Sequence, residues 1–129
     1  MQDGNTRKLS GAQVGQALFL SRHEACLVVI EGPSAGAEFR LSSPSQTIGR
    51  GPGVDIVIRD DAMSQEHVAV ELGRHGFRVR DLGSTNGVVV NGRSIADVDL
   101  EDGDRIRVGE HTLQYVVEET HHGGTFEIG

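Results

Sequence analysis

The stretch DLGSTNGVVVNG, residues 81–92, sets five small residues, Gly83 to Gly87, between two apolar segments that read as strands. A tight hairpin needs only two or three turn residues, and Asn-Gly alone would supply one. A second Asn-Gly follows at Asn91-Gly92. The surplus hydroxyls, amides and backbone N–H groups predict a rim of donors with something to bind.

Working outward, short apolar or alternating runs recur at 26–31, 38–41, 46–49, 55–58, 67–72, 77–81, 88–90, 104–108 and 112–117. Breakers such as Gly-Pro-Gly and Asp-Gly-Asp separate them. With 18 glycines and no long helical period, this spacing predicts an all-β sandwich. Alternation assigns the faces. Val68, Val70 and Leu72 point inward, as do Phe77 and Val79, Ile106 and Val108, and Leu113, Tyr115 and Val117. Arg78, Arg80, Arg105 and Arg107 then lie on solvated outer faces.

The chain has 129 residues, enough for one domain with a core, and carries a net charge of −7. That balance argues against nucleic acid, whose phosphates demand a basic surface. No apolar run approaches the roughly 20 residues of a membrane span, and the first residues lack a signal-peptide core. These features point to a soluble, cytoplasmic protein. The single cysteine, Cys26, reads as a buried strand residue. It leaves no disulfide, and with only His121-His122 beside it the chain shows no metal pattern and no cofactor motif. Residues 1–24 read as a flexible arm in which Ala17 to Leu20 could dock on the sandwich, residues 25–119 as the domain, and 120–129 as a linker or tail.

Strand alternation gathers the polar connections at the ends of the sandwich. Three stand out: Gly49-Arg50-Gly51, Met63 to His67, and Gly83 to Gly87. Arg50 offers a five-donor fork, Ser64 and Thr85 hydroxyls, and Asn86 an amide. Donors around one arginine suit an anion with several oxygens. The order and spacing of Gly49-Arg50, Ser64-x-x-His67, Asp81-Leu-Gly-Ser-Thr85-Asn86-Gly87 and Asn91-Gly92 resemble the forkhead-associated (FHA) signature, and Leu100 to Ile106 resembles its later strand-turn-strand. The resemblance covers roughly residues 26–118.

That resemblance implies an eleven-stranded β-sandwich whose loops at one end bind phosphothreonine peptides, in bacteria often as the head of a larger regulator. By position, Arg50 is expected to grip the phosphate. The Ser64 hydroxyl, the Gln65 backbone N–H and Thr85 would donate beside it. Asn86 would bond the peptide backbone. His67 is expected to brace the Ser64 loop, and Gly49, Gly87 and Asn91 to shape the loops. Gln65 stands where the family often has Arg or Asn, Glu66 adds a negative charge, and Val88 replaces a common threonine.

Two other classes compete. Ser64, His67 and Asp81 are the residue types of a hydrolase triad, but no glycine-flanked elbow surrounds the serine. Asp60-Asp61 could be a carboxylate pair, yet it reads as a loop without apolar cover, so no enzyme is expected. A phosphate-independent interaction module would tend to lose Arg50 or Ser64, and both are present. Thr6 and Thr125, with Leu9 and Ile128 three residues on, are candidate phosphorylated self-ligands.

Overall fold

The inward rows close on one another as two packed sheets. The computed structural model describes residues 10–120. In chain order the elements are α1 (Gly11–Arg22), β1 (His23–Glu31), β2 (Glu38–Arg40), β3 (Ser45–Gly49), β4 (Ile56–Val57), β5 (Val68–Gly73), β6 (Gly76–Asp81), β7 (Val88–Val90), β8 (Arg93–Ser94), β9 (Asp97–Asp99), β10 (Arg105–Val108) and β11 (His111–Glu119). One sheet runs β2-β1-β11-β10-β7-β8 and the other β4-β3-β5-β6-β9. The one parallel pairing among these strands joins β3 to β4.

Period-2 alternation places Ala25, Leu27 and Val29 of β1, Leu113 and Tyr115 of β11, and Ile106 and Val108 of β10 in the core. Ile48, Val68, Val70, Phe77 and Val79 meet them from the second sheet. Antiparallel register is set by this burial, since a one-residue slip would turn each row to water.

Three features differ from the sequence reading. Residues 11–22, expected within a mobile arm, form a helix. Its period is hidden because Gly11 and Gly15 interrupt it and Val14, Leu18 and Leu20 remain exposed. Local chemistry holds it instead: Ser10 Oγ accepts from Gln13 N at 3.0 Å and Gln13 Oε1 accepts from Ser10 N at 2.8 Å, a capping box. Phe19 packs on the core in a T-shaped, edge-to-face contact with Phe77, and Gln16 Nε2 donates to Leu72 O at 2.9 Å. Second, two short strands, β8 and β9, were not among the segments read as strands. Third, Cys26 is half-buried on the outer face of its sheet rather than in the core. Partial burial, then the nearby Glu38, Glu118 and Glu24 carboxylates, raise its thiol pKa.

Candidate functional site

β3 carries the site's arginine to the sandwich end. Its last residue, Gly49, is buried, and the Gln65 carbonyl lies where a β-carbon would stand. Only glycine permits that approach. The ladder then continues past the strand: Arg50 N donates to Ser64 O and Gly51 N to Gln65 O, both at 3.1 Å. The chain after β3 and the Ser64-Gln65 loop are thereby tied backbone to backbone.

The Arg50 side chain is oriented by one bond. Its Nε donates to Met63 O at 2.6 Å. No carboxylate pairs with it among the described residues. Its terminal N–H groups are left to face solvent. Met63 itself is 2% exposed, so the carbonyl that aims Arg50 sits on a buried anchor.

His67 is fully buried and uses both ring nitrogens on backbone. Nδ1 accepts from Ser64 N at 3.0 Å, and Nε2 lies 2.8 Å from Gly87 O. Those partners fix the tautomer, with the proton on Nε2. One side chain thus joins the second loop to the third. A further link runs above it, where Thr85 N donates to Ser64 Oγ at 3.0 Å. A lone pair of the hydroxyl is occupied, and its own proton is free to donate. The N–H of Gln65 has no acceptor among the described residues.

The 82–87 loop is closed by its own side chains. Asp81 Oδ1 accepts from Ser84 N at 2.9 Å, and Ser84 Oγ accepts from Gly87 N at 2.9 Å. Gly87 takes φ +81°, which favours glycine. Asn86 reaches across to the second loop, donating from Nδ2 to Ala62 O at 2.8 Å. Its Oδ1 remains open.

Arg50, Asp61, Ala62, Met63, Ser64, Gln65, Thr85 and Asn86 line one open cleft of about 310 Å³. Five residues expected to touch the ligand, Arg50, Ser64, Gln65, Thr85 and Asn86, are therefore brought together, with Gly49, His67 and Gly87 directly behind them. Asn91 is not. It lies at the other end of β7, at φ +50°, where Nδ2 donates to Asp104 Oδ1 and Oδ1 accepts from Arg105 N. The second Asn-Gly thus ties β7 to the start of β10, away from the cleft. Thr6, Thr125, His121 and His122 lie outside the described residues. A cleft of about 340 Å³ beside the β5–β6 turn is larger, but its walls set Asp99 and Glu101 beside Arg74, so an anion would meet like charge there.

Sequence reasoning missed what lies beneath. Asp60, expected on an uncovered loop, is only 8% exposed. Its Oδ1 accepts from Ala62 N at 2.8 Å, and its Oδ2 accepts from Glu110 N and His111 Nδ1, both at 2.7 Å. Buried His111 takes Ser34 N on Nε2 at 3.2 Å, so the Nδ1 proton points at Asp60. Burial pushes the Asp60 pKa up, but the bonds from His111, Glu110 and Ala62 win and hold it below its ordinary value. Gly109, at φ +59°, leaves room for Asp60 and Met63 where a β-carbon would overlap both. An aspartate two residues before Ala62, whose N–H it accepts, is a weak Asx-turn signal. Nothing local in the sequence reveals His111, 51 residues away.

Known proteins carry the same architecture. Residues 28–119 match the family described as the inner membrane component of the type III secretion system, cytoplasmic domain, whose fold is FHA-like. The FHA domain of the Chlamydia trachomatis protein CT664 superposes with a TM-score of 0.68 at 32% identity, covering 72% of this chain and 96% of that one. The chain belongs to the forkhead-associated family. Mycobacterium tuberculosis EmbR, solved with a low-affinity phosphopeptide, matches this FHA domain with a TM-score of 0.70 at 28% identity, over 86% of this chain and 31% of EmbR. Among curated relatives, the oxoglutarate dehydrogenase inhibitor of Corynebacterium efficiens is 39% identical over 92 residues, 71% of this chain. That match spans 65% of the inhibitor, less than two thirds of its length. Among the described residues, no group of three or more His, Cys, Asp or Glu could hold a metal, and no helix is long and apolar enough to cross a membrane.

Proposed function

We propose that this FHA domain is a phosphothreonine-dependent protein–protein interaction module, with the phosphate seated between Arg50, the Ser64 hydroxyl and the Gln65 N–H. The observation that carries the proposal is the Arg50 guanidinium, aimed by a carbonyl rather than neutralised by a carboxylate. A carbonyl orients the fork and leaves its charge for the ligand. Thr85 and Asn86 stand on the facing wall, where an extended peptide would lie. The EmbR phosphopeptide complex supports the same ligand class on this fold. A binding role rather than catalysis is supported by His67, which meets the Ser64 backbone N–H and not its hydroxyl.

The test is calorimetric titration with one peptide in three forms: phosphothreonine, phosphoserine and unmodified. The phosphothreonine form binds at least tenfold tighter than phosphoserine, roughly 1.4 kcal/mol. Burying one methyl supplies only about 0.8 kcal/mol. The remainder comes from threonine's stiff χ1, which orders the phosphate before it meets fixed donors. Equal binding of the phosphorylated and unmodified forms would replace this reading with a phosphate-independent module.

A further inference from the structure

Two charged residues, Arg50 and Asp61, line the cleft. The cation has an evident task. The anion is misplaced for it, because a carboxylate in a small cleft repels the phosphate that the arginine attracts.

Nearby carboxylates have structural work. Asp60 holds three donors, Asp55 accepts from Thr47 N, and Asp81 caps the Ser84 loop. Asp61 differs. It is exposed, and it forms neither a hydrogen bond nor an ion pair with another described residue. Its backbone lies between two bonded neighbours, Asp60, whose Oδ1 accepts from Ala62 N, and Ala62, whose carbonyl accepts from Asn86. An exposed carboxylate beside a phosphate site, with no partner among the described residues, is free to pair with a cation on the ligand.

We infer that Asp61 is a specificity-determining residue and that the ligand is a phosphothreonine segment bearing a lysine or arginine close to the phosphothreonine. This rests on the phosphothreonine reading of the cleft. A phosphate at −2 leaves a cleft lined by one arginine and one aspartate with excess negative charge, and a basic ligand side chain would pair with Asp61 and lie near the phosphate. An acidic neighbour would add to the repulsion. The chain's net charge of −7 reinforces the preference at longer range.

The experiment walks one lysine, one alanine and one glutamate through each flanking position of a phosphothreonine peptide, with unmodified peptides as controls. At one position, or two adjacent ones, affinity falls in the order lysine, alanine, glutamate, with about fivefold or more between the extremes. Asp61→Asn flattens that order and tightens the glutamate peptide most. Glu66→Gln, which alters an exposed charge outside the cleft lining, leaves the order in place. Raising the salt concentration shrinks the spread, as expected for an exposed pair. If the phosphorylated peptides bind tightly but show no charge order, or keep the order in Asp61→Asn, this inference is overturned while the phosphothreonine reading stands. If phosphorylation itself makes no difference, both fail together.

Discussion

The outer face of the five-stranded sheet and the cleft use the same side chain in opposite ways. On the sheet, Arg80 forms a two-point contact with Glu71 across the β5–β6 pair, at 3.3 and 2.9 Å. Arg78 Nη2 lies 2.6 Å from Asp97, and its Nε lies 3.2 Å from Asp99 without hydrogen-bond alignment. Carboxylates neutralise both arginines. Arg50 instead meets a main-chain carbonyl and no carboxylate. Neutralised arginines cover a sheet; an oriented but uncompensated arginine waits for an anion. Partner chemistry, more than exposure, separates scaffold from site.

The largest effect should come from the group that holds the cleft together without facing it. Removing the His67 ring leaves Ser64 N and Gly87 O unpaired and opens a void in a fully buried position. His67→Ala should cost about 2–4 kcal/mol, read as a lower midpoint in denaturant titration. Phosphopeptide affinity should fall in step with the folded fraction and with disorder of the Ser64 loop. A stable, fully folded His67→Ala protein that binds nothing would put His67 on the ligand instead.

Next is the arginine itself. Arg50→Lys keeps a positive charge but loses both the fork and the Nε bond to Met63. The expected loss is about 1.5–3 kcal/mol of phosphopeptide binding, tenfold or more, with an unchanged melting temperature. Unaltered affinity by calorimetry would remove Arg50 from the site and erase the contrast with Arg78 and Arg80.

Each part of the fold is legible in the sequence only where burial or spacing writes a signal into the residues themselves. Alternation carried the strands that bury one face, such as β5, β6, β10 and β11, because burial imposes period 2 on the residues themselves. β8 and β9 escaped because they are short edge strands: Arg93-Ser94 buries nothing, and Asp97 to Asp99 turns only a half-buried Val98 to the core, too few residues for a period to show. The α1 helix escaped for a related reason: one partly buried ring, Phe19, and a cap replace an apolar stripe. Residues lining the cleft were legible as spaced motifs. Asn91, expected to shape the binding loops, shapes the turn at the other end of β7 instead, and the Asn-Gly dipeptide alone does not say at which end of the strand it falls. The Asp60–His111 support was illegible because Asp60 lies between β4 and β5 of one sheet and His111 begins β11 of the other, so they meet only after both sheets close.

That buried support yields a smaller, pH-dependent expectation. The Asp60 pKa is depressed in the folded state, so its contribution to stability is full above the ordinary carboxylate range. It is lost as pH falls through the depressed value, when a proton displaces the donors on Oδ2. Chemical denaturation across the acid range should show this decline in the wild-type protein, and Asp60→Asn should flatten it while lowering stability at neutral pH. An equally steep acid decline in the variant would assign the dependence to other carboxylates, Glu71 among them, whose pKa the Arg80 bond also lowers.

The smallest effect belongs to the sheet. Arg80 is exposed and Glu71 partly so, and solvent there screens the Coulomb attraction while the ordering of two long side chains opposes it. Arg80→Gln removes the charge yet keeps a chain of similar reach over the sheet. The melting temperature should move by no more than about 2 °C, and the shift should shrink further in high salt. Phosphopeptide affinity should not change, since Arg80 lies on the sheet's outer face and does not line the cleft. This near-silence is what gives Arg50→Lys its meaning. If Arg80→Gln weakened binding as much as Arg50→Lys, the peptide would be held by the domain's general field, and the distinction between a neutralised and an oriented arginine would carry no functional weight.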